Sequence, residues 1–140
     1  IGITSMKLAT EEIEGMGFAI PINDVKNYVT YLEKGEEIKR PSIGISVINT
    51  SDRYSLYMNN ISVNTSDTGV VIAKVESGCS AEKAGLKKGD VITKFDDNKV
   101  TSISTLRYYL YQYKTGDTIK VTYIRDVKEN TLDMKLIEKD

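Results

Sequence analysis

The residues with the clearest chemical potential form a short turn, Ile43-Gly44-Ile45, which follows the basic and proline-containing segment Lys39-Arg40-Pro41. Gly44 allows backbone conformations that other residues avoid, and it has no Cβ to obstruct an approaching group. Successive amide N–H groups in such a turn can converge on one anion. Arg40 is either an exposed linker charge or a source of positive potential for a bound anion. The turn therefore predicts an anion-binding site, with an ordinary strand start as the alternative.

The segment that contains this turn predicts a β-strand over 42–48. Its side chains alternate between two faces of the strand, with Ile43, Ile45 and Val47 on one and Gly44, Ser46 and Ile48 on the other. One face would pack on a core, and the strand would hold the turn in place.

The composition excludes several classes of function. The 19 basic and 20 acidic residues nearly cancel, whereas binding to nucleic acid needs a basic surface that neutralises phosphates. Histidine is absent, so the chain contains no Ser-His-Asp or Cys-His arrangement and no imidazole ligand for a metal. The single cysteine, Cys79, rules out an internal disulfide and a cysteine-based zinc site. We therefore expect no catalytic residues, no metal and no cofactor in this chain.

The balance of apolar and charged residues is typical of a soluble globular protein with a core. No apolar run approaches the roughly 20 residues of a membrane-spanning helix. We expect no membrane segment and no signal peptide here, and we place any export or anchoring segment of a parent protein outside this chain.

Residues 1–40 predict a strand pair and a helix. Apolar strands are expected over 1–8 and 15–22, and a pair of this kind is marginal in water unless it belongs to a larger sheet. A helix is expected over about 24–34, with Asn23 as its N-cap and Gly35 as its left-handed terminator. We place the domain boundary at Pro41, after the charged connector.

Residues 42–138 predict five or six strands and two helices in one mostly antiparallel unit. After the loop 49–67, which carries a short turn of helix, the periodicity predicts strands over 69–76, 91–95 and 118–125 and a closing strand around Leu132, Met134 and Leu136. A one-turn helix is expected from Ser80, as its N-cap, to Gly85. A longer helix is expected over 103–113, capped by Ser102 and ended by Gly116. Asp96-Asp97-Asn98 predicts a turn, since it lacks the spacing of a calcium loop.

Three segments of this unit resemble a PDZ domain of bacterial type. They begin at Gly69 (GVVIAKVESG), Ala81 (AEKAGLKKGDVI) and Val100 (VTSISTLR), and the Ala-Gly-Leu-x-x-Gly-Asp-x-Ile part of the second is the most specific. The resemblance implies that Ile43-Gly44-Ile45 is a carboxylate-binding loop. It also implies that the C-terminus of a peptide lies between the following strand and the long helix.

The resemblance and the periodicity together give a set of candidate peptide-binding residues. Leu106 and Leu110 would be either plain core or walls of the groove, and Tyr109 and Tyr113 are alternatives on the same flank. The full set is Arg40, Ile43, Gly44, Ile45, Ser46, Val47, Leu106, Leu110 and Tyr113.

Residues 1–41 resemble the end of the protease domain of an HtrA/Deg-type serine protease, in which a trypsin-like double β-barrel leads into a PDZ domain. The resemblance rests on Ile1-Gly-Ile-Thr-Ser, on Glu14-Gly-Met-Gly-Phe-Ala-Ile-Pro-Ile and on Lys39-Arg40-Pro41. It implies that Ile3-Thr4-Ser5 derives from the strand that pairs with substrate and Gly17-Phe18-Ala19 from the specificity-pocket wall. The nucleophile would lie before Ile1, so we expect this chain to be inactive by itself.

The expected fold is therefore mainly β with two to three helices. A PDZ-type partial β-barrel or sandwich over 41–140 would follow a strand pair and helix, over 1–40, left over from the double β-barrel. By resemblance, the chain would be a regulatory module that recognises C-termini of misfolded or substrate proteins for an HtrA-like serine endopeptidase in protein quality control. The resemblance also implies a parent in a bacterial cell envelope, either extracytoplasmic or membrane-anchored.

Two other functions remain open at this point. The chain could be a non-enzymatic scaffold PDZ domain, or the PDZ domain of another protease class, such as a carboxy-terminal processing or intramembrane peptidase. The protease-like strands in 1–22 distinguish the HtrA-type hypothesis from a scaffold. Those strands would also present unpaired edges, through which copies of the chain could associate.

Overall fold

The computed structural model describes residues 2–7, 17–22, 25, 29, 32–35, 41–64 and 68–137. The chain divides into two compact units, Ile1–Ile38 and Lys39–Asp140. Within the described residues each unit has a sheet of its own, with two strands in the first and six in the second.

The first unit contains the predicted strand pair. Strand β1 (Gly2–Lys7) runs antiparallel to strand β2 (Gly17–Pro21), with Gly2 opposite Pro21. The register shifts between Thr4 and Met6, which marks a bulge in the pair. The loop that joins the two strands lies outside the described residues.

Helical backbone follows β2 at the described positions of the next segment, namely Ile22, Val25, Val29, Leu32 and Glu33. The prediction of a helix here is confirmed. Its start differs from the prediction, because helical backbone is already present at Ile22. The predicted N-cap, Asn23, is outside the described residues. Gly35 has a φ of +64°, and its N–H donates a hydrogen bond of 3.2 Å to the Leu32 carbonyl. It therefore ends the helix in the left-handed conformation that the sequence predicts.

The second unit is an open antiparallel sheet. Its strand order is β3-β4-β5-β7-β8, and the short strand β6 pairs with β5. The strands are β3 (Ile45–Asn49), β4 (Val70–Val75), β5 (Val91–Phe95), β6 (Asn98–Lys99), β7 (Thr118–Arg125) and β8 (Lys128–Lys135). The expectation of a mainly β fold is confirmed, with one open sheet as its form.

Three short helices connect these strands. Helix α1 (Arg53–Met58) lies in the β3–β4 connection, where the sequence predicts a turn of helix, and Asp52 caps it. Helix α2 (Ser80–Ala84) precedes β5, and Gly85 ends it with a φ of +91°. Helix α3 (Ile103–Leu110) is capped by Ser102, whose side chain and that of Thr105 form a reciprocal capping box.

The side chains of the sheet bury two separate clusters. The larger one joins apolar residues of the sheet to Leu106 and Leu110 of α3, with Phe95 and Ile72 among its largest fully buried members. The smaller one contains Leu56, Ile61, Val71 and Val91. Because neighbouring strand residues point to opposite faces, Ile72 and Val71 belong to different clusters, and both faces of the sheet are covered here.

An ion pair fixes the turn before β5. The carboxylate of Asp90, which is 1% exposed, accepts hydrogen bonds from Arg125 Nε (2.7 Å), Arg125 Nη2 (2.6 Å) and the Lys87 backbone N–H (2.7 Å). Arg125 Nη2 also donates to the Gly85 carbonyl at 2.9 Å. The hydrogen bond to Asp90 raises the pKa of Arg125 above its ordinary value, so the guanidinium stays protonated.

Three predicted boundaries are wrong. The predicted strand 42–48 pairs continuously only from Ile45, and Ser42 makes an isolated bridge to Ile137 instead. Helix α3 ends at Leu110 rather than near Tyr113. The N-cap of α2 is Cys79, not Ser80 as predicted, because Cys79 Sγ accepts the Glu82 N–H at 3.4 Å.

The two ends of the main strand order are β3 and β8, whose compositions differ. Strand β3 is mostly apolar (ISVIN), whereas charged residues make up four of the eight in β8 (KENTLDMK). Among the described residues, no helix is long and apolar enough to cross a membrane, and no three potential metal ligands cluster together.

Candidate functional site

A groove of about 600 Å³ lies between the start of the sheet and helix α3. Its walls come from the turn and strand β3 on one side and from α3 on the other. The residues that line it are Pro41, Ser42, Ile43, Gly44, Ile45, Ser46, Val47, Glu76, Ile103, Leu106, Arg107, Leu110 and Tyr111. We call this feature the β3–α3 groove.

A side-chain hydrogen bond sets the direction of α3 along β3. The Asn49 Oδ1 at the end of β3 accepts the backbone N–H of Ile103, the first residue of α3, at 2.9 Å. This N–H is one of the four donors that a helix start leaves without an intrahelical partner. Because α3 begins beside the end of β3 and lines the same groove, it runs back along the strand toward Gly44.

The backbone of β3 offers hydrogen-bonding groups to the groove. The Gly44 carbonyl accepts the Glu76 N–H at 2.9 Å, and residues of an antiparallel strand turn their backbone groups alternately to either side. The N–H and C=O of Ile45 therefore face away from β4. A register shift follows between Ser46 and Val47, and Thr50 N–H donates to the Gly69 carbonyl at 3.2 Å. This pattern turns the backbone groups of Val47 away from β4 as well.

The turn before β3 uses the conformational freedom that glycine provides at position 44. Gly44 is buried and has a φ of +68°, a value that residues with a side chain rarely adopt. A Cβ built on Gly44 would lie 2.2 Å from Cys79 Cβ and 2.8 Å from Cys79 Sγ. Only glycine fits at this position, because both the backbone angle and the close approach of Cys79 exclude a side chain.

Hydrogen bonds from α2 hold the turn on its other side. The Ile43 carbonyl accepts the Ala81 N–H at 3.1 Å. The hydroxyl of Ser80 donates to the Ser42 carbonyl at 3.3 Å and accepts the Ile137 N–H at 2.9 Å. One buried hydroxyl thus joins the turn, α2 and the end of the sheet, which explains why Ser80 is not available as the helix cap.

Seven of the nine predicted site residues line the β3–α3 groove. They are Ile43, Gly44, Ile45, Ser46, Val47, Leu106 and Leu110. Arg40 lies outside the described residues. Tyr113 does not line the groove, because the chain leaves the helix at Leu110; its hydroxyl donates to Asp96 Oδ2 at 2.5 Å instead. Burial and this hydrogen bond raise the pKa of Tyr113 to about 12.

The sequence interpretation missed several residues of the groove. Ile103, Arg107 and Tyr111 line it from α3 and its C-cap, and Glu76 lines it from the end of β4. The helical period indicates the three residues of α3 and its C-cap. Counted from Ile103, Arg107 and Tyr111 are i+4 and i+8, and these positions share one face of a helix with Leu106 and Leu110 at i+3 and i+7. Arg107 is charged, so the apolar periodicity alone does not indicate it.

We predict that Asn49 is needed to hold the start of α3 against β3. Asn49→Ala should lower the free energy of unfolding by about 1 kcal/mol, because it removes the partner of the Ile103 N–H. Asn49→Asp is the matched control, since it keeps an acceptor and places a negative charge at a helix start, where it is favourable. Urea denaturation measures both variants. Equal stability losses for the two would contradict a role of the Oδ1 acceptor.

Comparison with known families gives a match over most of the second unit. The family model of the PDZ domain matches residues 41–136. Among curated proteins, the chain is 46% identical over 142 residues to the serine protease Do-like HtrA of Lactococcus lactis subsp. lactis, covering 97% of this chain and 35% of that protein. It is 39% identical over 144 residues to the serine protease Do-like HtrA of Bacillus subtilis, covering 100% and 32%, respectively. The chain thus spans about a third of the length of these relatives.

Solved structures show the same fold at lower sequence identity. The HtrA-type protease AlgW with a decapeptide superimposes with a TM-score of 0.78 at 20% identity, over 100% of this chain and 42% of that one. The same protease with a tripeptide gives a TM-score of 0.77 at 21% identity, over 100% and 46%.

Proposed function

Because the chain belongs to the PDZ domain family, as the PDZ region of an HtrA-type protein, we propose that its β3–α3 groove binds the C-terminus of a peptide or protein. The expected HtrA-type and PDZ assignments are confirmed, whereas this peptide-binding role is our proposal. The peptides named with the structurally similar AlgW protease support peptide binding in this fold.

The observation that carries the proposal is the outer strand β3. Among the described residues β3 pairs only with β4, and the backbone groups of Ile45 and Val47 turn toward its other side. An extended peptide could add there as a further strand, with backbone hydrogen bonds that provide affinity for any sequence. Apolar side chains of α3 would provide the preference for particular side chains.

The turn would bind the terminal carboxylate. The amides of Ile43, Gly44 and Ile45 would point toward it, and a turn of converging N–H dipoles favours an anion over a neutral amide. The φ of +68° at Gly44 gives the turn its curvature. The last side chain of the peptide would pack between β3 and the buried side chains of Leu106 and Leu110.

The role in the parent protein is a further part of the proposal. We propose that the groove captures exposed C-termini of misfolded or substrate proteins for a serine endopeptidase in protein quality control. The support is the similarity to serine proteases Do-like HtrA. By the same resemblance we place the parent in a bacterial cell envelope, and we propose that copies can associate through 1–22. Detection of the parent only in the cytosolic fraction of lysed cells would contradict that location.

Calorimetry with a pair of peptides tests the binding proposal. A short peptide with an apolar C-terminal residue should bind with a dissociation constant in the micromolar range, roughly −6 to −8 kcal/mol. The same peptide with an amidated C-terminus should bind more weakly by about 1.5–3 kcal/mol, the value of a hydrogen bond to a charged group. The amidated peptide is the matched control, because it differs only at the terminus. Equal affinity of the two would refute the assignment of the turn.

A further inference from the structure

The β3–α3 groove contains a positively charged side chain, Arg107, to which the proposed function assigns no role. Arg107 lines the groove from the middle of α3, and its side chain is exposed. Arg107 and Glu76 are the only charged residues among the groove-lining residues that the structure describes. Glu76 follows β4, where its N–H donates to the Gly44 carbonyl, so it lies at the turn end of the groove. Within the described part of the chain, no ion pair or side-chain hydrogen bond engages the guanidinium of Arg107.

The geometry of α3 places Arg107 opposite a particular part of an added strand. The helix runs back toward Gly44, so Leu110 lies nearer the turn than Arg107 does. Three helical residues separate them, about 4.5 Å along the axis. Helical side chains also lean toward the N-terminus of their helix. The guanidinium therefore lies farther from the turn than the Cα of Arg107.

An extended peptide advances about 3.4 Å per residue, and its side chains alternate between two faces. If the last residue faces Leu110, the next-to-last faces away from α3. The third residue from the end then returns to the helix side, about 6.8 Å from the last one. The third residue from the end therefore lies beside the segment of α3 between the Cα of Arg107 and Ile103. The guanidinium of Arg107 extends over the same segment.

We propose that Arg107 selects peptides that carry Asp or Glu at the third position from the C-terminus. The inference rests on the proposed function, whose groove it uses. A guanidinium presents a fork of N–H donors that matches a carboxylate, and charged hydrogen bonds of this kind are stronger than neutral ones. Beside the apolar walls of the groove, such a pair would be partly shielded from water.

Three peptides that differ at one position test the inference. They share an apolar C-terminal residue and carry Glu, Gln or Lys at the third position from the end. The wild-type chain should bind the Glu peptide roughly fivefold more tightly than the Gln peptide, the upper range for a partly exposed ion pair. The Lys peptide should bind most weakly. Arg107→Glu should reverse this order, and Arg107→Gln should remove the difference between Glu and Lys.

A matched control separates a local contact from a change in net charge. Arg53→Glu makes the same charge change on exposed α1 and does not line the groove. This variant should keep the wild-type order of the three peptides. Reversal of the order by Arg53→Glu as well would show that net charge, not a contact with Arg107, discriminates among the peptides.

The remaining outcomes distinguish this inference from the function on which it rests. If no free-acid peptide binds, the proposed function fails and the inference fails with it. If all three bind equally well, the groove stands and selection by Arg107 is refuted. Preference for an acidic residue at the second or fourth position from the end would refute the register. If Arg107→Gln weakens all three equally and leaves their amidated forms unchanged, Arg107 pairs with the terminal carboxylate, which also overturns the inference.

Discussion

Arg125→Met is expected to lower the free energy of unfolding by about 3 kcal/mol, the lower end of the range for breaking a buried ion pair. The variant leaves the Asp90 carboxylate, which is 1% exposed, with the Lys87 N–H as its remaining donor. The lower end of the range applies because the Arg125 side chain is 31% exposed, so water can partly replace it. The aromatic ring of Tyr123, 5.0 Å from the guanidinium carbon, also loses its cationic neighbour.

Lys120→Met is the matched control for this change. It removes a cation from the same strand, β7, at an exposed position, and it should change stability by less than about 0.5 kcal/mol. Urea denaturation at neutral pH measures both variants. Asp90→Asn combined with Arg125→Met should recover part of the loss, because no buried charge then remains unpaired. A loss no larger than that of Lys120→Met would show that the ion pair contributes little.

Gly44→Ala is expected to weaken peptide binding at least tenfold, or about 1.4 kcal/mol, and to destabilise the fold. The added Cβ would lie 2.2 Å from Cys79 Cβ, far closer than two non-bonded carbon atoms can approach. The turn must therefore move, and it carries the amides that would bind the carboxylate. We expect a loss of stability of about 2–4 kcal/mol, from overpacking together with the cost of a left-handed residue.

Gly78→Ala supplies the control, since it imposes the same backbone strain without the clash. Gly78 has a φ of +76°, and a Cβ there would meet nothing within 4 Å. It should cost about 1–2 kcal/mol and leave peptide affinity close to the wild-type value. Cys79→Gly in the Gly44→Ala background should restore part of both losses. If Gly44→Ala and Gly78→Ala behaved alike, close packing against Cys79 would not be the cause.

The sequence predicts those features of the fold that depend on local pattern. Strands β5 and β7 have the bounds that their alternation predicts, 91–95 and 118–125. The sequence also places at position 44 the residue type that permits the positive φ found there. These features could be predicted from the sequence because each depends on neighbours within a few residues.

Features that depend on partners distant in the sequence could not be predicted from local pattern. The apolar period continues past Leu110, but Tyr113 bonds to Asp96, and the chain leaves the helix. Ser80 has the right type for an N-cap, yet its hydroxyl bonds to Ser42 and Ile137 instead. The role of Asn49 depends likewise on a residue 54 positions later. Local periodicity contains no information about such contacts.

The unequal outer strands of the sheet have a consequence for stoichiometry. The proposed addition of a peptide strand at β3 would occupy the apolar edge, and the opposite edge, β8, carries Lys128, Glu129, Asp133 and Lys135. Charged edge strands resist pairing with another chain. A peptide added at β3 would lie between that strand and α3, which lines the other wall of the groove, and the charges on β8 would disfavour addition of a further strand at the opposite edge. Binding should saturate at one peptide for each copy of the domain.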